Sequence, residues 1–197
     1  DSDYVAAKYF WLLFAANPSG PVIRDMLAQA GRQIGSDHEL GSLLGSIARK
    51  AVADSQARDA YFEAVRSIGS DFELRHVLSA AMDETLPADG IAQALRTSRA
   101  IDSDFELASL LIDIGGKHMS DAAVRAAFFD ALGSIGSDFE QRRVLTKVVE
   151  LSNLSTETLT ALLRASKSIG SDHELAVVLT RVAERHRLQG ALRDQYL

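Results

Sequence analysis

Ile34-Gly35-Ser36-Asp37-His38-Glu39-Leu40 decides the fold, because this heptapeptide returns along the whole chain with small variations. Further copies begin at Ile68, Ile101, Ile135 and Ile169, so successive starts lie 34, 33, 34 and 34 residues apart. Ser2-Asp3-Tyr4 is a degenerate copy at the start. A recurrence of about 20 to 50 residues marks stacked supersecondary units rather than one globular core.

Each copy reads as the start of a helix. Ser36, Ser70, Ser103, Ser137 and Ser171 are followed three residues later by Glu39, Glu73, Glu106, Glu140 and Glu174, the spacing of a capping box. In that box the serine hydroxyl accepts from the N3 amide and the glutamate reaches back to the serine amide, satisfying two donors that have no partner inside the helix. Asp37, Asp71, Asp104, Asp138 and Asp172 fall in the first turn, where a negative charge meets the positive end of the helix dipole. Gly35, Gly69, Gly136 and Gly170 stand where a preceding helix would end, so the reading gives them left-handed backbone. Asp102 replaces that glycine in one copy, and either a positive φ or a reshaped junction is expected there.

Apolar residues after each cap follow helical spacing: Leu40, Leu43, Leu44 and Ile47; Leu74, Val77, Leu78 and Ala81; Leu107, Leu110, Leu111 and Ile114; Val144, Leu145 and Val148; Leu175, Val178, Leu179 and Val182. These are the A helices. Second start signals at Ser19 with Pro21, Asp54 or Ser55, Pro87 to Asp89, Ser120 with Asp121, and Ser155 with Glu157 open the B helices, and a further one is expected near Leu188. Their stripes run through Val22, Met26 and Leu27; Phe62, Val65 and Ile68; Ile91, Leu95 and Ile101; Val124, Phe128, Leu132 and Ile135; and Leu159, Leu162, Leu163 and Ile169. A lone helix pair cannot bury its stripe, so neighbouring pairs must stack. The expected fold is all-α: a right-handed α-α superhelix, or solenoid, of helix-pair repeats about 34 residues long. It forms one helical-repeat domain over 1–197, with units 1–35 (degenerate), 36–69, 70–102, 103–136, 137–170 and 171–197 (incomplete).

The chain is 47% hydrophobic and 24% charged, as expected of a folded protein. Its net charge of -6 argues against a general nucleic-acid binder, which needs an excess of Lys and Arg. Without cysteine there is neither a disulfide framework nor a thiolate metal site, and the compartment stays open. Tyr9 to Phe14 superficially resembles a signal-peptide core, but acidic residues precede it and it keeps the repeat register. It is also too short to span a bilayer, so no direct membrane insertion is expected. Both ends look cut inside a unit, which makes a piece of a longer protein the expectation.

Catalytic motifs are missing. His38-Glu39 and His173-Glu174 suggest a zinc peptidase, yet Ser42 and Val177 stand where the second histidine of H-E-x-x-H belongs. The chain has no nucleophile elbow, Walker loop or dinucleotide-binding glycine pattern. The fifth motif position, His38, Phe72, Phe105, Phe139 and His173, reads as packing at the unit junctions. Capping accounts for the column of Asp and Glu better than calcium or acid-base chemistry, because S-D-x-E supplies too few oxygens per unit. No cofactor and no metal are expected.

Two surfaces are candidates for a partner. Trp11, Leu12 and Phe14 replace Gly45, Ser46 and Ala48 of the next copy, an apolar excess that suits either a missing neighbouring unit or a partner or self-association site. Arg142, Arg143, Lys147 and Arg181, joined by Arg75 and His76, form a basic stretch on A-helix positions that vary between copies. Such a stretch suits the carboxylates of an acidic peptide or chain terminus, or is simply a solvated face.

The helix-pair plan is similar to tetratricopeptide and HEAT-type arrays, although the W-x2-L-G-x2-Y pattern of the former is missing from every copy. The motif I-[GD]-S-D-[FH]-E-[LQ]-x-x-[VL]-L more closely resembles the helical repeats that follow the membrane zinc-peptidase domain in some bacterial regulators of the beta-lactam-sensor type. That resemblance covers the whole chain and implies a bacterial origin, a larger parent protein and an extracytoplasmic sensing or interaction role. No peptidase residue carries over. The expected function is a non-enzymatic scaffold that binds a protein or peptide along its curved face. Its rivals are a structural spacer or oligomerisation segment contacting through the N-terminal unit, and an enzyme built on a helical-repeat frame.

Overall fold

The structure is a computed structural model that describes residues 2–82, 86–115, 118–151, 154–187, 189 and 191–196. It divides into two compact units, Asp1–Asp102 and Ser103–Leu197, and the division falls inside the motif copy that begins at Ile101. All regular structure among the described residues is helical.

The first unit holds α1 (Asp3–Ala15), α2 (Gly20–Gln33), α3 (Asp37–Ala53), α4 (Ser55–Val65), α5 (Asp71–Ala81) and α6 (Ala88–Ser98). A helices pack on A helices, α1 on α3 and α3 on α5, while B helices pack on B helices, α2 on α4 and α4 on α6. The second unit holds α7 (Asp104–Ile114), α8 (Ala122–Leu132), α9 (Asp138–Val149), α10 (Thr156–Ser166), α11 (Asp172–Arg185) and α12 (Ala191–Tyr196). It repeats the plan, with α7 on α9 and α9 on α11, and α8 on α10 and α10 on α12. Leu188, where the last B helix was expected to begin, lies outside the described residues.

The stripes form the core. Leu44, Leu78, Leu110, Leu111, Val144 and Leu145 from the A helices, and Leu27, Phe62, Val65, Leu95, Phe128 and Leu162 from the B helices, are shut off from water. Val22, counted in a B stripe, instead lies on the surface, and Leu175 and Leu179 of α11 are only partly covered. Buried polar groups tie the layers together. Arg58 donates to the Val52 carbonyl at 2.8 Å and to Asp89 at 2.7 Å, and Gln141 donates to the Ile135 carbonyl at 2.6 Å. Tyr61 points its hydroxyl at the Leu44 carbonyl, 3.3 Å away, and its burial pushes the phenol's pKa well above the usual range.

Half of the expected capping box forms. Ser2, Ser36, Ser70, Ser103, Ser137 and Ser171 each accept from the amide three residues on, at 3.3–3.4 Å. At Ser137 and Ser171 the reciprocal arm is replaced by something larger. The Ser137 and Ser171 amides donate to Asp104 and Asp138 of the preceding copy, both at 2.8 Å. The neighbouring Gly136 and Gly170 amides donate to the other carboxylate oxygens of the same residues, at 2.9 and 3.1 Å. In the first unit Gly69 donates to Asp37 at 2.9 Å. The motif aspartate therefore acts between copies, holding the backbone of the next one.

This corrects the reading of the glycines. Among the described residues positive φ occurs at Asn17, Gly115 and His118, and not at Gly35, Gly69, Gly136, Gly170 or Asp102. Asp102 keeps the same junction and donates its amide to Asp71 at 3.0 Å. The bond uses only a backbone N–H. A Cβ at Gly69 or Gly136 would sit 3.4 or 3.5 Å from the aspartate it binds, an ordinary contact, so a side chain is tolerated.

Candidate partner-binding surface

The first turns of the A helices present one motif position to water. Tyr4, Phe72, Phe105 and Phe139 are 55%, 56%, 56% and 51% exposed, and His38 and His173 are exposed as well. The column is therefore not buried in the junctions as packing would require, although His38 and Phe105 do meet the neighbouring A helix, at Glu73 and Arg143. Phe72 precedes Leu74, the first residue of the buried stripe, by two positions, and at about 100° per residue it must lie on the far side of the helix. That offset is the signal in the sequence that could have found it, because hydrophobicity alone assigned the ring to the core.

A cation rests on each of these exposed rings. Lys8 lies 5.4 Å from the Tyr4 ring centre, Arg75 5.7 Å from Phe72, Arg142 4.6 Å from Phe139, and Arg143 5.6 Å from Phe105 on the neighbouring helix. The motif glutamates face the same edge. Glu174 of α11 takes the Nε of Arg142 from α9, and Glu140 takes Arg143 at 2.5 Å. In the first unit Glu73 of α5 meets His38 Nδ1 of α3 at 2.9 Å. The hydrogen bond and charge of Glu73 raise the His38 pKa.

Arg142, Arg143 and Arg181 of the expected basic stretch are thus ion-paired. Arg142, Arg143 and the exposed Lys147 lie on α9, while Arg181 lies on the adjacent α11 and pairs with Glu184 at 3.1 Å. His173, Val177, Thr180, Arg181 and Glu184 border a shallow groove on α11. Arg75, half-buried, and His76, exposed, belong to α5 of the first unit.

On α1 the apolar candidates separate. Trp11 and Leu12 are 50% and 62% exposed, and Val5 and Tyr9 are on the surface too. Phe14 is only 5% exposed and is withdrawn as a contact residue: with Ala7 and Phe10, at i, i+3 and i+7, it forms the inward face of the helix. Tyr4, Lys8 and Trp11 make one wall of a groove whose other wall is Glu39, Ser42 and Ser46 of α3, with Ala7 and Leu43 as its floor.

Among the described residues two carboxylates have shifted pKa values, and both are lowered: Asp89 mainly by its hydrogen bond from Arg58, Glu157 mainly by its own backbone amide and by Ser155. Among the described residues no group of three or more His, Asp or Glu is placed to hold a metal ion, and no helix is long and apolar enough to cross a membrane. The chain matches no family model, no curated protein and no solved structure in the comparisons made.

Proposed function

We propose that this chain is a non-enzymatic helical-repeat scaffold that binds a protein or peptide across the ring-bearing edge of its A helices. One observation carries the reading. The same motif position leaves a ring in water copy after copy, in Tyr4 and Phe72 of the first unit and in Phe105 and Phe139 of the second. A core has no use for such rings, and exposed aromatic side chains in regular array are the usual anchors of an interface. Peptides selected on the intact chain from a random display library test it. They should lose binding to a Phe72→Asp, Phe105→Asp, Phe139→Asp variant that keeps its helical circular dichroism, and equal binding to both proteins would end the reading.

The proposal includes a right-handed superhelical course for the stacked pairs and a place within a larger bacterial protein, the latter resting on the motif's resemblance to peptidase-associated repeats. Small-angle scattering tests the elongation of the stack, since a compact chain of this length has a radius of gyration of about 16 Å and an elongated array exceeds it.

A second reading has its own support. Val5, Tyr9, Trp11 and Leu12 expose much of α1, which suits an oligomerisation segment. On that reading Trp11→Glu lowers the sedimentation coefficient without unfolding the chain, and unchanged sedimentation removes α1 as the contact.

A further inference from the structure

We infer that the partner of the ring-bearing edge is a basic, extended peptide segment whose Lys or Arg side chains stack on the exposed ring faces. This rests on the peptide-binding reading above and narrows its chemistry. Each exposed phenylalanine of the motif stands between two acids in sequence: Asp71 and Glu73 around Phe72, Asp104 and Glu106 around Phe105, Asp138 and Glu140 around Phe139. In the second unit Arg143 and Arg142 balance Glu140 and Glu174, while Asp104 and Asp138 are held by backbone amides, so these groups together keep a net negative charge. Backbone bonds to Asp104 and Asp138 orient those carboxylates without neutralising them.

The rings already show what they accept. Tyr4, Phe72, Phe105 and Phe139 each carry a cation from the chain itself, yet each stays at least half in water, so ring surface remains for a second one. A ring's negative face flanked by carboxylates favours ammonium and guanidinium groups and disfavours carboxylate or phosphate. Packed helices lie about 8 to 10 Å apart, and a polyproline-type chain advances about 9.3 Å in three residues. A cation at every third residue therefore keeps step with Phe105 and Phe139 on the adjacent α7 and α9, and one at every sixth with Tyr4 and Phe72, which α3 separates.

Fluorescence anisotropy of the full chain tests this with three labelled peptides built from Lys-Pro-Pro, Gln-Pro-Pro or Glu-Pro-Pro triplets. The lysine peptide should bind most tightly, and a Phe72→Leu, Phe105→Leu, Phe139→Leu variant, which keeps apolar bulk without the ring, should weaken it about tenfold. Circular dichroism confirms the fold of the variant, and the single Phe139→Leu change repeats the measurement with less disturbance. Equal lysine-peptide binding by the variant overturns the inference, because attraction to acidic charge alone then explains it. Tighter binding of the glutamine or glutamate peptide, lost in the variant, also overturns it while leaving the peptide-binding reading intact. Absence of binding by all three overturns it too, and the display selection then decides the broader reading separately.

Discussion

The junction between α3 and α5 and the junction between α9 and α11 solve one problem with different residues. In both, the motif glutamate of the later helix needs a cation from the earlier one. The second unit supplies Arg142, five residues after the capping serine. The first has Gly41 at that position, where a Cβ would lie 2.9 Å from a Glu73 carboxylate oxygen, and His38 takes over from the exposed edge. A column that differs between copies is therefore no proof of recognition. It can also mark two routes to the same internal pairing, one permanently charged and one that titrates.

Removing what the two junctions share should have the largest effect. Asp138→Ala deprives the Gly170 and Ser171 amides of their acceptor and should lower stability by about 1 to 3 kcal/mol in urea unfolding. A loss confined to a few tenths would show that water replaces the carboxylate. Ser137→Ala, which removes a cap present in both units, should cost about 0.5 to 2 kcal/mol in thermal unfolding, and no change would refute the capping role. Arg142→Ala attacks one junction only. Its pair with Glu174 is largely shielded, with side chains 22% and 17% exposed, so a loss of about 1 kcal/mol is expected, above that of the exposed Arg181→Ala.

The smallest effect separates the two cations by pH. The His38 pKa is raised in the folded chain, so its contribution is fully present below the unfolded value of 6.5 and disappears as pH rises through the higher folded value. Wild type should therefore lose slightly more melting temperature than His38→Gln between pH 6 and pH 8, while Arg142→Ala leaves that slope unchanged. Parallel curves for wild type and His38→Gln would place the pair outside the energetics of the junction.

Much of the fold was legible because its signals are local. The motif serines announce the A-helix starts, and Leu74, Val77, Leu78 and Ala81 mark a buried stripe without knowledge of any neighbour. What Asp104 and Asp138 do was not legible, since each binds a backbone 32 or 33 residues away and the register between copies appears only in three dimensions. The glycines misled for the same reason: their position suggested a helix terminator, while their amides serve the preceding copy. At the candidate surface, the apolar excess of Trp11, Leu12 and Phe14 was legible, but that Trp11 and Leu12 face water while Phe14 is buried was not, because apolar excess does not say which face of α1 turns inward.

The aspartate clasp gives the copies that begin at Ile68, Ile101 and Ile135 two complementary ends. Each of them carries one carboxylate for the copy that follows and main-chain donors for the copy that came before. A block duplicated or deleted by whole periods brings matching ends with it, so the length of such an array is free to change by recombination without any new side-chain chemistry, provided proline never enters the glycine position.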